Sequence, residues 1–120
     1  MMHNFRDLAV WQKSMSLTRD IYRETKLFPQ NEVYALCSQM QRAATSIPSN
    51  IAEGAGRTTD KELVHFLNIS LGSAYELETQ LLIAFDAQYI SQEIKENLLQ
   101  QVVEIEKMLY ALIKKYNINI

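Results

Sequence analysis

The sequence is poor in cysteine, histidine, proline and glycine, with 1, 2, 2 and 3 of these residues among 120. Because Cys37 has no partner, an internal disulfide is excluded and a reducing compartment is favoured. No stretch of about 18 uncharged apolar residues occurs, so the sequence predicts no membrane span. The first residues, through Asp7, lack the apolar segment and cleavage site of a signal peptide. We therefore expect a cytoplasmic protein.

A strong excess of either charge is also missing, since 12 basic side chains stand against 14 acidic ones, for a net charge of −2. A strongly basic domain would indicate a nucleic-acid partner, and this composition does not. The charges are unevenly distributed along the chain. Residues 1–61 carry 8 basic and 6 acidic side chains, a net +2, whereas residues 62–120 carry 4 and 8, a net −4.

With so few breakers, the spacing of apolar residues predicts four long helices in one domain over residues 1–120. The first helix runs from about residue 7 to 26, with Asp7 as its N-cap. Asn31 is expected to cap the second helix, and Thr59 and Ser91 cap the third and fourth. Since the connections are short, the sequence predicts an all-α fold, an antiparallel up-down-up-down four-helix bundle.

Each predicted helix has an apolar line that marks its core face. For helix one the line is Leu8, Trp11, Met15, Thr18 and Tyr22, widened by Val10, Leu17 and Ile21. For helix two it is Val33, Leu36, Cys37, Met40, Ala44, Ile47 and Ile51. For helix three it is Leu63, Leu67, Ser70, Ala74, Leu77, Leu81 and Ala84. For helix four it is Ile94, Leu98, Val102, Ile105, Leu109, Leu112 and Tyr116.

Pro48 falls within the apolar line of helix two. A proline there removes one backbone hydrogen bond and clashes with the carbonyl four residues earlier, so we expect a kink near Pro48. The apolar spacing continues in phase from Ala44 to Ile51, which indicates one kinked helix instead of two. Gly54 is expected to end this helix.

Helix three carries a second apolar line beside the first, and its combined width exceeds what one core-facing helix needs. We interpret the surplus as an oligomer interface. A carboxylate on this line would need a cationic or hydrogen-bonding partner, which favours a structural role for Glu78 over a catalytic one. The predicted interface residues are Leu71, Tyr75, Glu78, Leu82, Phe85 and Tyr89.

The sequence offers little catalytic chemistry. Glu62-x-x-His65 has the spacing of a di-metal bundle site, but such a site needs a second copy and two more glutamates, which are missing. The Gly54-x-Gly56-Arg57 segment follows a helix and lacks the lysine of a phosphate loop. No nucleophile and base pair can be named. We therefore predict no catalytic, cofactor or metal residues and no enzymatic activity, with a metal-dependent enzyme as the least favoured alternative.

Basic residues supply the other alternative, direct nucleic-acid binding along helix one and around Pro48. Interleaved acidic residues such as Asp20, Glu24, Glu53 and Asp60 favour instead a self-paired, solvated surface. The residues that would contact nucleic acid are Arg19, Arg23, Lys26, Arg42, Arg57 and Lys61.

Several segments together resemble a known family. They are Phe5-Arg6-Asp7-Leu8-x-Val10-Trp11-Gln12, Phe28-Pro29, Gln39-Met40-x-Arg42-Ala43-Ala44-x-Ser46-Ile47-Pro48-Ser49-Asn50-Ile51-Ala52-Glu53-Gly54 and Gly72-Ser73-x-x-Glu76-x-Glu78. The chain resembles the four-helix-bundle proteins encoded in intervening sequences of bacterial 23S rRNA genes. That resemblance implies a ring-shaped homopentamer. A related group, the accessory proteins of diversity-generating retroelements, binds a reverse transcriptase and nucleic acid with a basic surface, from which this acidic sequence departs.

The sequence thus predicts a non-enzymatic, self-assembling bundle that acts as an interaction scaffold. Its partners would be further copies of itself and RNA or a nucleic-acid-associated protein, without a small-molecule substrate, cofactor or membrane. Asn50 and Glu53 are expected to satisfy backbone groups freed near Pro48 and to anchor the turn to Arg57 or helix one. The residues predicted to shape the subunit are Trp11, Ser46, Pro48, Asn50, Glu53, Gly54 and Arg57.

Overall fold

A computed structural model of the chain describes residues 4–118. Its four α-helices are α1 (Ala9–Thr25), α2 (Ser38–Ala55), α3 (Asp60–Asp86) and α4 (Gln92–Asn117). The α2/α3 and α3/α4 pairs pack most extensively, α1 packs on α2, and the α1/α4 contact is the smallest. Helices adjacent in sequence are therefore neighbours in space, and the predicted antiparallel four-helix bundle is confirmed. Within residues 4–118 no helix is both long and apolar enough to cross a membrane.

The core face of α1 differs from the predicted one. The buried residues of this helix are Val10, Ser14, Leu17, Ile21 and Thr25. Tyr22, from the predicted main line, is exposed. The part of the prediction that widened the face to Val10, Leu17 and Ile21 is confirmed. The predicted main line lies about 100° of rotation to one side of the buried face, because the apolar pattern left out Ser14 and Thr25. Their hydroxyls donate to the carbonyls of Val10 and Ile21 at 2.7 and 2.8 Å, which allows burial.

The first helical turns also begin differently from the prediction. Phe5–Asp7 forms a 3-10 turn, capped by Asn4, whose Oδ1 accepts from the Arg6 amide at 3.1 Å. Extended backbone at Leu8 separates this turn from α1, so Leu8 and not Asp7 is the N-cap of α1. Asn31 is no cap either. It lies in a second 3-10 turn, Gln30–Glu32, followed by a π-helical turn, Val33–Cys37, that leads into α2.

α2 continues unbroken from Ser38 through the buried Pro48 to Ala55, so a single helix is confirmed. Gly54 does not end it, and the C-cap, Gly56, has an ordinary φ of −87°. Gly54 instead lies where α2 touches α3. A Cβ added at Gly54 would lie 3.0 Å from the Cβ of Phe66 and 3.3 Å from the carbonyl oxygen of Leu63. Its small size permits the close packing of the two helices.

The predictions for α3 and α4 are confirmed. All seven residues of the first apolar line of α3 are buried. The Thr59 hydroxyl accepts from the Glu62 amide at 3.2 Å, and the Ser91 hydroxyl accepts from the Ile94 amide at 3.2 Å, so both predicted N-caps form. The central residues of the α4 line are likewise buried: Leu98, Val102, Ile105 and Leu109.

Candidate interaction surfaces

The backbone group that Pro48 leaves without a donor is the carbonyl of Ala44, four residues earlier. The Thr18 hydroxyl of α1 lies 3.2 Å from this carbonyl oxygen and 2.7 Å from the carbonyl oxygen of Ser14. A hydroxyl of α1 thus lies where α2 lacks the amide N–H donor that Pro48 cannot provide. The prediction that Asn50 and Glu53 would fill this role was wrong, because neither side chain bonds to the Ala44 carbonyl.

Asn50 belongs to a polar contact between α2 and α3. Its Nδ2 donates to the Ser46 carbonyl at 2.8 Å and lies 3.0 Å from the Ser46 hydroxyl. The Ser46 and Ser73 hydroxyls are 2.8 Å apart, which joins the two helices. On the buried side, the Ser70 hydroxyl donates to the Ile47 carbonyl at 2.7 Å. We name Thr18, Ser46, Asn50, Ser70 and Ser73 the Pro48 network.

Other predicted motif residues lie at two further places. Glu53 forms an ion pair with Arg57, which confirms the predicted anchor. The Arg57 guanidinium also lies 4.7 Å from the centre of the Phe66 ring, on the helix that follows. Trp11 is half-buried near the start of α1, where its ring meets that of Phe5 at a centroid distance of 5.2 Å. These contacts fix the ends of α1 and α2 and have no catalytic geometry.

The structure does not gather the predicted nucleic-acid residues into one patch. Lys26 follows the last residue of α1, whereas Arg57 and Lys61 flank the α2–α3 connection. In an antiparallel bundle these are opposite ends of a molecule 46 Å long. Arg23 pairs with Asp20 at 2.8 Å. Of the six predicted residues, four form no ion pair within residues 4–118: Arg19, Lys26, Arg42 and Lys61.

Within α3 the second apolar line faces α4, whereas Tyr89, beyond the end of the helix, packs on Phe28 and donates to the Glu32 carboxylate at 2.7 Å. Leu71, Phe85 and Tyr89 are half-buried against the core, and the ammonium of Lys95 on α4 lies 4.0 Å from the centre of the Phe85 ring. Part of the second apolar line, which the sequence suggested was an oligomer interface, is therefore explained by packing inside the subunit. Two members of the line remain exposed, Tyr75 at 51% and Leu82 at 44%.

A carboxyl pair lies between these two exposed residues. Glu78, one turn from each, contacts Glu106 of α4. Glu106 is only 9% exposed, and its Oε2 has no hydrogen-bond partner among the described residues. Burial first, and then the Glu78 carboxylate, raise the pKa of Glu106 from 4.5 to about 8. Tyr110, one turn beyond Glu106, is 59% exposed. We name Tyr75, Glu78, Leu82, Glu106 and Tyr110 the α3/α4 face.

Glu106 and Tyr110 were missed in the sequence, although a signal for Glu106 was present. It lies between Val102 and Leu109 in the helical spacing, next to Ile105, and thus borders the apolar line of α4. Gln80 is a second buried polar residue that the sequence did not reveal. Its Oε1 also has no partner within residues 4–118.

The positions with catalytic spacing form no catalytic arrangement. Glu62 caps α3 and lies 4.0 Å from Arg57, while His65 is exposed against the Phe66 ring. No group of three or more His, Cys, Asp or Glu side chains in the described chain could hold a metal ion. Cys37 is buried, with Sγ 3.5 Å from the Thr25 carbonyl, and burial and the nearby Glu32 raise the pKa of its thiol.

A polar groove of about 380 Å³ runs between α2 and α3. Two of its lining residues, Ser46 and Ser73, bond to each other and have no histidine beside them in the groove. A serine needs an adjacent base to act as a nucleophile, so this groove contains no such pair. Its lining residues are Gln39, Arg42, Ala43, Ser46, Ser73 and Glu76.

Comparison with known proteins identifies the family. The family model of the 23S rRNA-intervening sequence protein matches residues 6–111. The chain belongs to this family. It is also similar to a crystal structure of a protein of unknown function from the S23 ribosomal protein family of Bacteroides thetaiotaomicron VPI-5482, with 29% identity and a TM-score of 0.82. That match covers 88% of this chain and 95% of the other. Comparison with curated proteins gives no match.

Membership of the 23S rRNA-intervening sequence protein family confirms the resemblance carried by the Ser46–Gly54 segment. Within the fold, that segment holds Ser46 and Asn50 of the Pro48 network together with the Gly54 contact on α3. The residues of this segment therefore hold α2 against α3. The family name itself states where its genes lie and assigns no activity.

Proposed function

We propose that this chain is a non-enzymatic, self-assembling helical bundle that acts as an interaction scaffold. The α3/α4 face carries the proposal, because Tyr75, Leu82 and Tyr110 are large side chains left 51%, 44% and 59% exposed, each one helical turn from Glu78 or Glu106. Contiguous exposed apolar groups of this kind mark interaction sites in proteins. In this proposal the scaffold works in the reducing cytoplasm, which the single, buried Cys37 supports.

The assembly that we propose is a closed ring of five copies, the state that the family resemblance implies. Rings require a heterologous contact, in which one surface of each copy meets a different surface of the next. The uneven charge of the chain supports such a contact, since residues 1–61 carry a net +2 and residues 62–120 a net −4. A bundle with one acidic and one basic half can pair head to tail without opposing like charges.

Native mass spectrometry and sedimentation velocity test the proposal. One chain has a mass of 13.9 kDa, so a pentamer has five times that mass. The pair of changes Tyr75→Ser and Tyr110→Ser is expected to shift the population towards the single chain. Tyr34→Ser is the matched control, because Tyr34 is 96% exposed but lies outside the α3/α4 face. A wild-type protein that stays at 13.9 kDa over the micromolar range would contradict self-assembly.

Direct nucleic-acid binding is the second candidate function. Four exposed cations without an ion pair within residues 4–118 favour it: Arg19, Lys26, Arg42 and Lys61. Such binding would weaken steeply as salt rises, because phosphate contacts release counterions. Retention on immobilised RNA at low salt, and its loss on Arg42→Glu with Lys61→Glu, would support this candidate. Absence of retention for the wild-type protein would dismiss it.

A further inference from the structure

The α3/α4 face has a carboxyl pair at its centre, and no cation of the described residues forms an ion pair with it. Glu106 is nine-tenths buried, and apart from Glu78 its carboxyl has no hydrogen-bond partner in the described part of the chain. Glu78, its neighbour on α3, is half-buried and also carries a carboxyl group. A buried carboxylate is costly unless a cation or donors pair with it.

Among the residues that the structure describes, no cation forms an ion pair with these two carboxyls. Lys107 follows Glu106 but is exposed and turned by about 100° around α4. Lys95 stacks on the Phe85 ring, farther towards the start of α4. Lys13 of α1 pairs with Glu104 at 2.9 Å on the opposite flank of α4. The other titratable groups at the rim are the Tyr75 and Tyr110 hydroxyls, and Glu76 points away from Glu78.

We propose that the Glu78–Glu106 pair is the receptor for the guanidinium of Arg19 from a second copy of this chain. The inference rests on the self-assembly proposed above and names the contact that joins two copies. A two-fold contact of the α3/α4 face with itself is disfavoured, because it would bring two carboxyl pairs together. A head-to-tail contact with the basic half of the next copy supplies the opposite charge.

Arg19 is the cation on that half with matching surroundings. It is exposed on the outer side of α1 and forms no ion pair within residues 4–118. Tyr22 and Met15 lie one turn to either side of it, and Tyr22 is exposed. Arg19 thus lies between two large side chains that could contact the Tyr75 and Leu82 side chains of the next copy. A planar guanidinium also suits a carboxyl pair, since it offers five donors.

The contact makes assembly depend on pH. Burial and the Glu78 carboxylate raise the pKa of Glu106 to about 8 in the single subunit. A cation binds the ionised form, so association releases a proton from Glu106. Affinity between copies should therefore increase from about pH 6.5 to about pH 8.5 and level off once the carboxyl is ionised before association.

Sedimentation velocity of the full chain at these two pH values tests the inference. Arg19→Gln and Glu106→Gln are each expected to weaken association at least about tenfold, and Glu106→Gln should also abolish its pH dependence. Arg42→Gln is the matched control, an exposed arginine without an ion pair in residues 4–118, and should change association less than about twofold. The double variant should be no weaker than either single one, because the two residues act on one contact.

Each result decides one question. Wild-type protein that remains a single chain would overturn self-assembly and this contact together. Wild-type protein that assembles while Glu106→Gln matches it would overturn the carboxyl receptor and leave self-assembly intact. Loss of association on Glu106→Gln alone, with Arg19→Gln unchanged, would overturn the assignment of Arg19. Circular dichroism checks folding, and Glu78→Gln replaces Glu106→Gln if the latter fails to fold.

Discussion

The two polar regions of this bundle differ in how far their hydrogen-bonding groups find partners within the subunit. Around Pro48, the hydroxyls of Thr18, Ser46 and Ser70 each lie within hydrogen-bond distance of a group on a neighbouring helix. Between α3 and α4, Glu78 and Glu106 contact each other and an oxygen of Glu106 has no partner within residues 4–118. The first region is complete inside one subunit. In the contact that we propose, the second is completed by a cation of another copy.

The difference separates residues that stabilise the single subunit from residues that we propose for association between copies. Satisfied polar groups between helices fix their register, whereas an unsatisfied buried carboxyl lowers the stability of the isolated subunit. Substitutions in the Pro48 network should therefore act on folding. Substitutions at the carboxyl pair should stabilise the isolated subunit and weaken the association between copies. Each substitution below tests the contribution of one of these contacts to stability.

The largest expected effect is the pH dependence caused by Glu106. Its carboxyl has a pKa of about 8 in the folded chain against an ordinary 4.5, so folding favours the protonated form. The free energy of unfolding should fall as pH rises between these two values, by at most about 1.4 kcal/mol per pH unit, and then level off. Urea unfolding at sub-micromolar protein concentration measures this dependence in the single chain.

Glu106→Gln should remove this slope, and Glu104→Gln, at an exposed position two residues earlier, should retain it. If the free energy of unfolding depends on pH equally in the wild-type protein and in Glu106→Gln, ionisation of Glu106 does not destabilise the fold.

Next in size is the close contact at Gly54. Gly54→Ala places a Cβ 3.0 Å from the Phe66 Cβ, and that atom can move only if the helices separate. We expect the free energy of unfolding to fall by about 1–3 kcal/mol. Gly72→Ala is the control, because no atom lies within 4 Å of an added Cβ at that site. There alanine should stabilise the helix by roughly 0.5–1 kcal/mol. Equal effects of the two changes would refute the packing argument.

Thr18 should have a smaller effect. Thr18→Val keeps the shape of the side chain and removes the hydroxyl near the Ala44 carbonyl, which has no amide donor because of Pro48. A loss of about 1 kcal/mol in the free energy of unfolding is expected. Thr79→Val is the control, since its hydroxyl bonds only to the Tyr75 carbonyl of its own helix. If Thr79→Val lowers the free energy of unfolding as much as Thr18→Val does, the contact of Thr18 with the Ala44 carbonyl adds no stability.

The smallest effect is expected at the surface pair of Glu53 and Arg57. Arg57→Gln should lower the free energy of unfolding by about 0.5 kcal/mol, because exposed ion pairs contribute little. This loss should shrink in about 1 M salt, where charges are screened. Lys61→Gln, which removes a nearby cation without an ion pair in residues 4–118, provides the comparison. A loss that persists in high salt would point to the Phe66 ring contact of Arg57 instead.

The sequence predicted those parts of the fold in which large apolar residues repeat without interruption. The α3 line from Leu63 to Ala84 is one such repeat, and all of it is buried. α1 was rotated in the prediction because Ser14 and Thr25 look like surface residues. Their burial depends on hydrogen bonds to their own helix, which a polarity pattern does not show.

The candidate sites depended more strongly on tertiary contacts. Gly54 suggests a helix end in the sequence, and only the approach of Phe66 reveals why a glycine is needed there. Glu106 is an ordinary charged residue until α3 buries it and brings Glu78 against it. Thr18 could be linked to the Ala44 carbonyl only once the pairing of α1 with α2 was known. Local patterns do not encode such juxtapositions across helices.

The small contact between α1 and α4 has a consequence for dynamics. α2, α3 and α4 form two extensive helix pairs, whereas α1 is held chiefly along α2. Parts of a protein with fewer packed contacts open at lower free energy than the rest. α1 should therefore detach and reclose as a unit while the other three helices stay folded. Native-state hydrogen exchange would then show the amides of α1 exchanging as one group, ahead of those in the middle of α3.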